Sequence, residues 1–276
     1  VRYGFVMPAG DARTAADMAA TAEAAGWDGF FVWDGVWSVD PWVSLTAAAM
    51  RTSRLRLGTM LTPLSRRRPW QLAAQTATLD HLSGGRLILS VGLGALDSGF
   101  AEFGEETDRA VRAELLDEGL DIVTGLWQGQ PFNYSGRHYV VRETTFTPPP
   151  PPAQSPGIPI WVAAAWPGPR SMSRALRYDG LVPNVVAHGG GFRPAGPDDV
   201  RAMRAYADEH REGTAPFDIV VEGETPGDDL EEAGRMVAPL ADAGATWWLE
   251  TRWTNPDLSA VHRRLEQGPP QSGLPR

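Results

Sequence analysis

Arg56-Leu57-Gly58-Thr59-Met60-Leu61, then Pro69 through Leu82, then Leu87-Ile88-Leu89-Ser90-Val91: this stretch decides the fold. Two short apolar runs flank a helical segment that carries proline in its first turn and stops before Gly84-Gly85. The runs are continuously apolar rather than alternating, which is the pattern of parallel strands covered by helices on both faces.

The same rhythm extends in both directions. Upstream lie strand Tyr3–Met7, helix Thr14–Ala25 closed by Gly26, strand Gly29–Trp33 and helix Pro41–Arg51. Downstream come the longest helix, Arg109–Trp127, then strand Ile160–Ala164, helix Pro169–Arg177 and the short strand Leu181-Val182. Helix Asp198–Glu212, strand Phe217–Glu222, helix Asp229–Ala243, strand Thr246–Leu249 and helix Ser259–Gln267 complete eight strand–helix units. An open doubly wound sheet uses about five or six strands, so eight units predict an α/β fold made of a single (β/α)8 TIM barrel over residues 1–267. Between strands four and five the pattern breaks into an insertion: a hairpin over Phe132–Val141 and a stiff, extended Pro-rich connector, Pro148–Pro152. The Gly/Pro-rich segment 268–276 is expected to be a disordered tail.

Composition narrows the chemistry. The 276 residues carry a net charge of −9, a balance that argues against nucleic acid as partner. There is no cysteine, which excludes disulfides, thiolate metal sites and cysteine nucleophiles. Every basic side chain is arginine, which removes Schiff-base chemistry and a phosphate-binding lysine. Uncharged stretches such as Leu87–Leu96 fall short of the ~20 residues of a membrane helix, and no signal-peptide run precedes the first helix. The expected compartment is a reducing cytoplasm.

In a barrel of this kind the active site lies at the C-terminal ends of the strands. Trp166 closes strand five, and Gly168, Pro169, Arg170 and Ser171 open the following helix, whose free N–H groups suit a phosphate; the bland alternative is a plain turn. Thr59, Met60 and Leu61 end strand three, where they would wall a flat aromatic cofactor or form an ordinary buried strand. Gly92-Leu93-Gly94 after strand four lacks the third glycine of a dinucleotide fingerprint. Among eleven tryptophans, Trp33, Trp37 and Trp253 sit near strand ends and would line an aromatic substrate pocket. Acid–base candidates are Asp34 after strand two, Glu250 at the end of strand eight, and Glu222 and Glu224 around the end of strand seven. His188, within a run of glycines, would reach substrate from a mobile loop, and no histidine spacing suggests a metal site. The default reading of Arg66-Arg67-Arg68 is a solvated charge run, and Arg86 ties a turn.

The stretch Arg56–Gly94 resembles the bacterial luciferase-like monooxygenase family. The residues that carry the likeness are Leu79-Asp80-His81-Leu82-Ser83-Gly84-Gly85-Arg86-Leu87 and Val91-Gly92-Leu93-Gly94, supported by Ala24-Ala25-Gly26-Trp27-Asp28, Leu116-Asp117-Glu118-Gly119-Leu120 and Tyr134-Ser135-Gly136-Arg137-His138-Tyr139. The resemblance implies a (β/α)8 barrel that binds a reduced flavin or deazaflavin at its C-terminal face. It places a non-prolyl cis peptide at Met60–Leu61, against the flavin ring, with Gly92 among the cofactor-binding residues. The family's phosphate site falls on Gly168, Pro169, Arg170 and Ser171, in agreement with the helix-terminus argument. Many relatives have Asp-His after strand two; Asp34-Gly35 lacks that imidazole, so Asp34 or His188 is expected to take over the proton chemistry.

The expected activity is that of a two-component monooxygenase, using reduced FMN and O2 on an apolar or aromatic small organic substrate. A separate flavin reductase would supply the reduced cofactor, and the family likeness implies a homo-oligomer. Two alternatives stand beside it: a reductase or dehydrogenase dependent on coenzyme F420, and a barrel that binds flavin without catalysis.

Overall fold

In the computed structural model, which describes residues 1–145, 149–253 and 257–271, eight strands pair in parallel and close on themselves. They are β1 (Arg2–Met7), β2 (Gly29–Val32), β3 (Arg56–Thr59), β4 (Leu87–Gly92), β5 (Ile160–Trp166), β6 (Gly180–Val186), β7 (Asp218–Gly223) and β8 (Trp247–Glu250). Each pairs with the next, Phe5 with Phe30, Phe31 with Gly58, Leu57 with Leu87, Ser90 with Trp161, Trp161 with Gly180 and Ile219 with Leu181. Val220 then pairs with Trp247, and Trp248 with Tyr3 shuts the ring. The fold is therefore the (β/α)8 TIM barrel, and the strand expected at Leu181-Val182 is longer than the sequence pattern suggests.

Eight helices among the described residues surround the ring: α1 (Ala12–Ala25), α2 (Pro41–Ala49), α3 (Pro69–Ser83), α4 (Arg109–Gln128), α5 (Pro169–Ala175), α6 (Pro197–His210), α7 (Leu230–Asp242) and α8 (Leu258–Glu266). Asp11, Asp40, Asp108, Asp229 and Asp257 cap five of them by accepting first-turn N–H groups. The other three, α3, α5 and α6, start on proline and have no side-chain cap.

Strand residues alternate between two apolar clusters. Outward side chains such as Phe5, Phe30, Leu57, Leu89, Val162, Leu181, Ile219 and Trp248 pack beneath the helices. Inward ones form a smaller cluster on the barrel axis: Val6, Phe31, Met60, Ile88, Trp161, Val182, Val220, Trp247 and Leu249. Three large rings fill that axis, with Phe31 stacked on Trp161 at 5.5 Å and Trp247 edge-on to both. Glycines at inward positions make the room. A Cβ on Gly58 would stand 2.7 Å from the Ile88 carbonyl oxygen and 2.9 Å from the Phe31 ring, and one on Gly180 would stand 2.5 Å from Trp161.

The insertion lies between α4 and β5. Strands Phe132–Ser135 and Val140–Thr144 form the hairpin, fastened to α4 by the Glu118 carboxylate, which accepts the N–H groups of Arg137, His138 and Tyr139. Of the proline connector, Pro148 lies outside the described residues. Beyond it Gln154 donates to Asp80 and to the Leu87 carbonyl, tying the segment to α3 and β4. The expected disordered tail is corrected in its first part: Gly268 and Pro270 are buried, Arg264 donates to the Gly268 carbonyl at 2.7 Å, and the Gln271 N–H reaches Leu230. A Gly/Pro-rich segment needs only a few backbone bonds and one buried ring to be held. Residues 272–276 lie outside the described residues. No helix among those described is long and apolar enough to cross a membrane.

The axial packing predicts a contrast between two glycines. Gly58→Ala overpacks the axis and lowers stability by about 1–3 kcal/mol in urea denaturation. Gly157→Ala, where a Cβ meets nothing within 4 Å, changes it by less than about 0.5 kcal/mol.

Candidate functional site

The apolar axis ends one step below the C-terminal rim, and polarity begins there. Continuing the alternation, the next inward residues are Trp33 after β2, Ser90 and Gly92 on β4, Ala163 and Ala165 on β5, Asn184 on β6 and Glu222 on β7. Gly92 lies at a close approach: a Cβ there would stand 3.0 Å from both the Ala163 Cβ and the Leu61 Cδ2. Leu61, Gly92 and Ala163 thus form one small-residue surface. Beneath it the Ser90 hydroxyl is buried and has no hydrogen-bond partner. The peptide bond between Met60 and Leu61 is cis.

Glu222 is the titratable group of this layer. It is open to solvent at the rim, and the Trp253 indole N–H donates to its Oε2 at 3.0 Å. Partial desolvation by the surrounding protein raises its pKa from the ordinary glutamate value, an effect that the Trp253 bond partly offsets. Asn184 stands four residues beyond Gly180 on β6, and Glu222 four beyond its partner Asp218 on β7, so both belong to the same inward layer.

The other carboxylates expected to carry proton chemistry are committed elsewhere. Asp34 takes the outward position after Trp33, and its side chain is fully buried. Arg67 grips it with Nη2 at 2.7 Å from Oδ1 and Nε at 3.2 Å from Oδ2, while Arg66 adds a contact at 3.3 Å and donates to the Gly35 carbonyl. Asp34 is therefore a strut between two loops rather than an acid–base group facing the mouth. The same clamp corrects the reading of Arg66 and Arg67 as solvated, since the Arg66 side chain is only 8% exposed. Glu250 is outward too, fully buried against Arg264, the Thr225 N–H at 3.0 Å and the Thr225 hydroxyl at 2.6 Å. Glu224 pairs with Arg252 at 3.4 Å.

The remaining expected site residues divide. Thr59 is a correction: it faces outward and is wholly buried, its hydroxyl donating to the Ser90 carbonyl and accepting from Thr62. Met60 belongs to the axial cluster, and Leu61 faces Gly92. Trp33 folds its indole over Gly35, where a Cβ would stand 2.6 Å from the ring. The missing side chain at position 35 is thus space that Trp33 fills. Trp37 is 86% exposed and stacks on Phe103 outside the mouth, so it does not join the other tryptophans. His188 sits exposed in the turn that joins the antiparallel pair Val186–Phe192. Trp166 is half-buried, edge-on to Tyr206. At the start of α5, Gly168 passes so close to the Ala165 carbonyl that a Cβ would meet it at 2.7 Å. Ser171 Oγ accepts the Ala165 N–H at 3.1 Å, and Pro169 and Arg170 are exposed beside it. A depression of about 390 Å³ on the opposite, N-terminal face is bordered by Arg2, Trp27, Arg54 and Arg56. Among the described residues no group of three His, Asp or Glu side chains is placed to hold a metal ion.

Comparison with known proteins places this geometry in context. The family model described as luciferase-like monooxygenase matches residues 4–271. A phthiodiolone/phenolphthiodiolone dimycocerosates ketoreductase of Mycobacterium kansasii is 33% identical over 204 residues, covering 70% of this chain and 52% of that protein. The chain spans about half the length of the curated relatives it matches first. Among solved structures, the coenzyme F420-dependent tetrahydromethanopterin reductase of Methanopyrus kandleri superposes with a TM-score of 0.76 at 17% identity, covering 97% of this chain and 98% of that one. The oxygenating constituent of 3,6-diketocamphane monooxygenase of Pseudomonas putida, solved with FMN, gives 0.65 at 18% identity, covering 97% and 77%. At these identities the likeness is one of fold.

Glu222 makes a thermodynamic prediction. Its folded-state pKa is raised, so the stability it contributes is complete below the unfolded-state value and drains away as pH rises through the folded one. Glu222→Gln keeps an acceptor for Trp253 and never charges. Thermal melts from pH 4 to pH 8 should therefore show the variant more stable than the parent at the alkaline end, the gap closing as pH falls through the carboxylate range.

Proposed function

The chain belongs to the luciferase-like monooxygenase family, and from that premise we propose that it is an oxidoreductase which holds coenzyme F420 in the barrel mouth and interconverts a ketone and a secondary alcohol. One observation carries the reading: among the described residues the inward layer at the mouth holds one carboxyl, Glu222, positioned by the Trp253 indole N–H at 3.0 Å, and a positioned proton-exchanging group is what carbonyl–alcohol chemistry requires. The ketoreductase name of the Mycobacterium kansasii relative agrees with it, as does the end-to-end match in size with the F420-dependent reductase fold.

The residues present fit a flat tricyclic cofactor. Leu61, Gly92 and Ala163 meet in one apolar surface that would back it, and Ser90, whose buried hydroxyl has no partner, lies two residues before Gly92 on the same strand. The uncapped start of α5, with Ser171 and Arg170, would hold its phosphate. When bound, F420 supplies two-electron hydride chemistry. Trp33 and Trp253 offer aromatic surface to the apolar part of a substrate.

A second reading keeps the same platform for reduced FMN and O2, with a separate reductase as donor. Oxygenation by a flavin needs a site closed to water. Glu222 stands open to solvent, and Trp253 beside it is 46% exposed, which ranks this reading second.

The test is an anaerobic titration of the protein with F420 and FMN, each oxidised and reduced, followed by cofactor fluorescence. F420 should bind in preference to FMN. Gly92→Ala, whose methyl group presses on Leu61 and Ala163 and so reshapes that surface, should weaken that binding by at least ~10-fold, about 1.4 kcal/mol, with the circular dichroism spectrum unchanged. Preference for FMN would replace the proposal with the second reading, and binding of neither would overturn both.

A further inference from the structure

We propose, on the basis of the reading above, that Glu222 is the catalytic acid–base residue that exchanges a proton with the substrate oxygen, and that Trp253 is the positioning residue that holds it. The placement is topological first. On β7, Val220 belongs to the axial cluster and Val221 to the outer one, so Glu222 is the next residue turned toward the axis and the first beyond the apolar plug. Its Oε2 accepts the Trp253 N–H at 3.0 Å, which fixes one carboxylate oxygen at the rim.

The charges around Glu222 are paired with one another rather than with it. On its own strand and the loop after it, Glu224 is neutralised by Arg252. From β8, Leu249 packs alongside in register, while Glu250 points away into its cage of Thr225 and Arg264. Arg252 lies between Glu224 and Glu250, at 3.4 Å and 3.7 Å, rather than on Glu222. From β6 the inward residue is Asn184, which carries no charge, and His188 is exposed beyond the strand's end. Among the described residues no cation pairs with Glu222, and partial loss of water around its carboxyl raises its pKa, with the Trp253 bond acting the other way.

The step balances as follows. Reduced F420, when bound, would supply the hydride equivalent for the carbonyl carbon and be left oxidised; Glu222 would give its carboxyl proton to the carbonyl oxygen, completing a secondary alcohol, and its carboxylate would regain a proton from water. In the reverse direction the carboxylate takes the hydroxyl proton. Trp253 acts through Glu222: its N–H stabilises the carboxylate and so restrains how far the pKa rises.

The experiment compares the parent with Glu222→Gln, Glu222→Asp and Trp253→Phe in three measurements. These are F420 binding, anaerobic reduction of 2-ketones from butanone to decanone against pH, and the infrared carboxylic-acid band of the cofactor-free protein against pH. Glu222→Gln should bind F420 within ~2-fold of the parent, lose ~10²–10⁴ in kcat, and lose the alkaline limb of the profile along with one component of the infrared carboxylic-acid band. Glu222→Asp should recover part of the rate. Trp253→Phe removes the donor that favours the carboxylate, so both the alkaline limb and the infrared band should move to higher pH. Full turnover in Glu222→Gln, an infrared band that Glu222→Gln leaves in place, or an unmoved limb in Trp253→Phe would each overturn the proposal. A parent that binds F420 yet reduces none of the ketones would overturn it with the cofactor reading intact. A parent that fails to bind F420 would bring down that reading and this proposal together.

Discussion

Closure of eight parallel strands into one hydrogen-bonded ring is the constraint on which everything else depends. Once β8 pairs with β1, alternate side chains must point into a space of fixed width, and that space must be filled. Phe31, Trp161 and Trp247 fill the lower part, and Gly58 and Gly180 are glycine because those rings leave no room for a Cβ. Inward polarity is affordable only above this plug, where the strands open to solvent. Polar inward side chains therefore gather at the rim, and among the described residues Glu222 is the carboxyl of that layer.

The loops around the rim are braced from outside the barrel. Asp34 with Arg66 and Arg67 ties the loop after β2 to the loop after β3. Arg66 and Arg112 also flank the Phe100 ring, which joins the loop after β4 to the same assembly. Glu250 with Thr225 and Arg264 does the equivalent for the loop after β7 and α8. Removing one partner from such a buried pair costs about 3–5 kcal/mol, because the other charge is left without compensation. Charges that read as candidate catalysts in the sequence are thus spent on holding the frame, and the frame leaves Glu222 unpaired by any cation.

Much of this was legible in the sequence, and what was not has a common cause. Continuously apolar runs marked the strands, proline and glycine marked the helix ends, and all eight units lie where the pattern puts them. The residues Leu61, Gly92 and Ala163 meet because their strands are neighbours, which the strand order alone already requires. Asp34 and Thr59 were misread because proximity to a strand end was weighed without parity. Counting by twos from Phe31 and Gly58 sends both outward, whereas counting from Val220 sends Glu222 inward. That signal was present in the chain but needed the inner cluster as its origin. The Asp34 clamp spans 32 and 33 residues and the Trp253–Glu222 bond spans 31, distances over which sequence pattern carries no pairing information.

The central claim is that the rim of the barrel is one site, with a flat face at Leu61, Gly92 and Ala163 and a proton-bearing group at Glu222. A crystal structure of the protein with oxidised F420 and a 2-ketone tests it most directly. The account predicts the deazaflavin ring laid on Leu61, Gly92 and Ala163, its phosphate at the start of α5, and the ketone oxygen about 3 Å from Glu222. A cofactor bound instead among Arg2, Arg54 and Arg56 on the N-terminal face, or a ketone oxygen beyond the reach of Glu222, would contradict it.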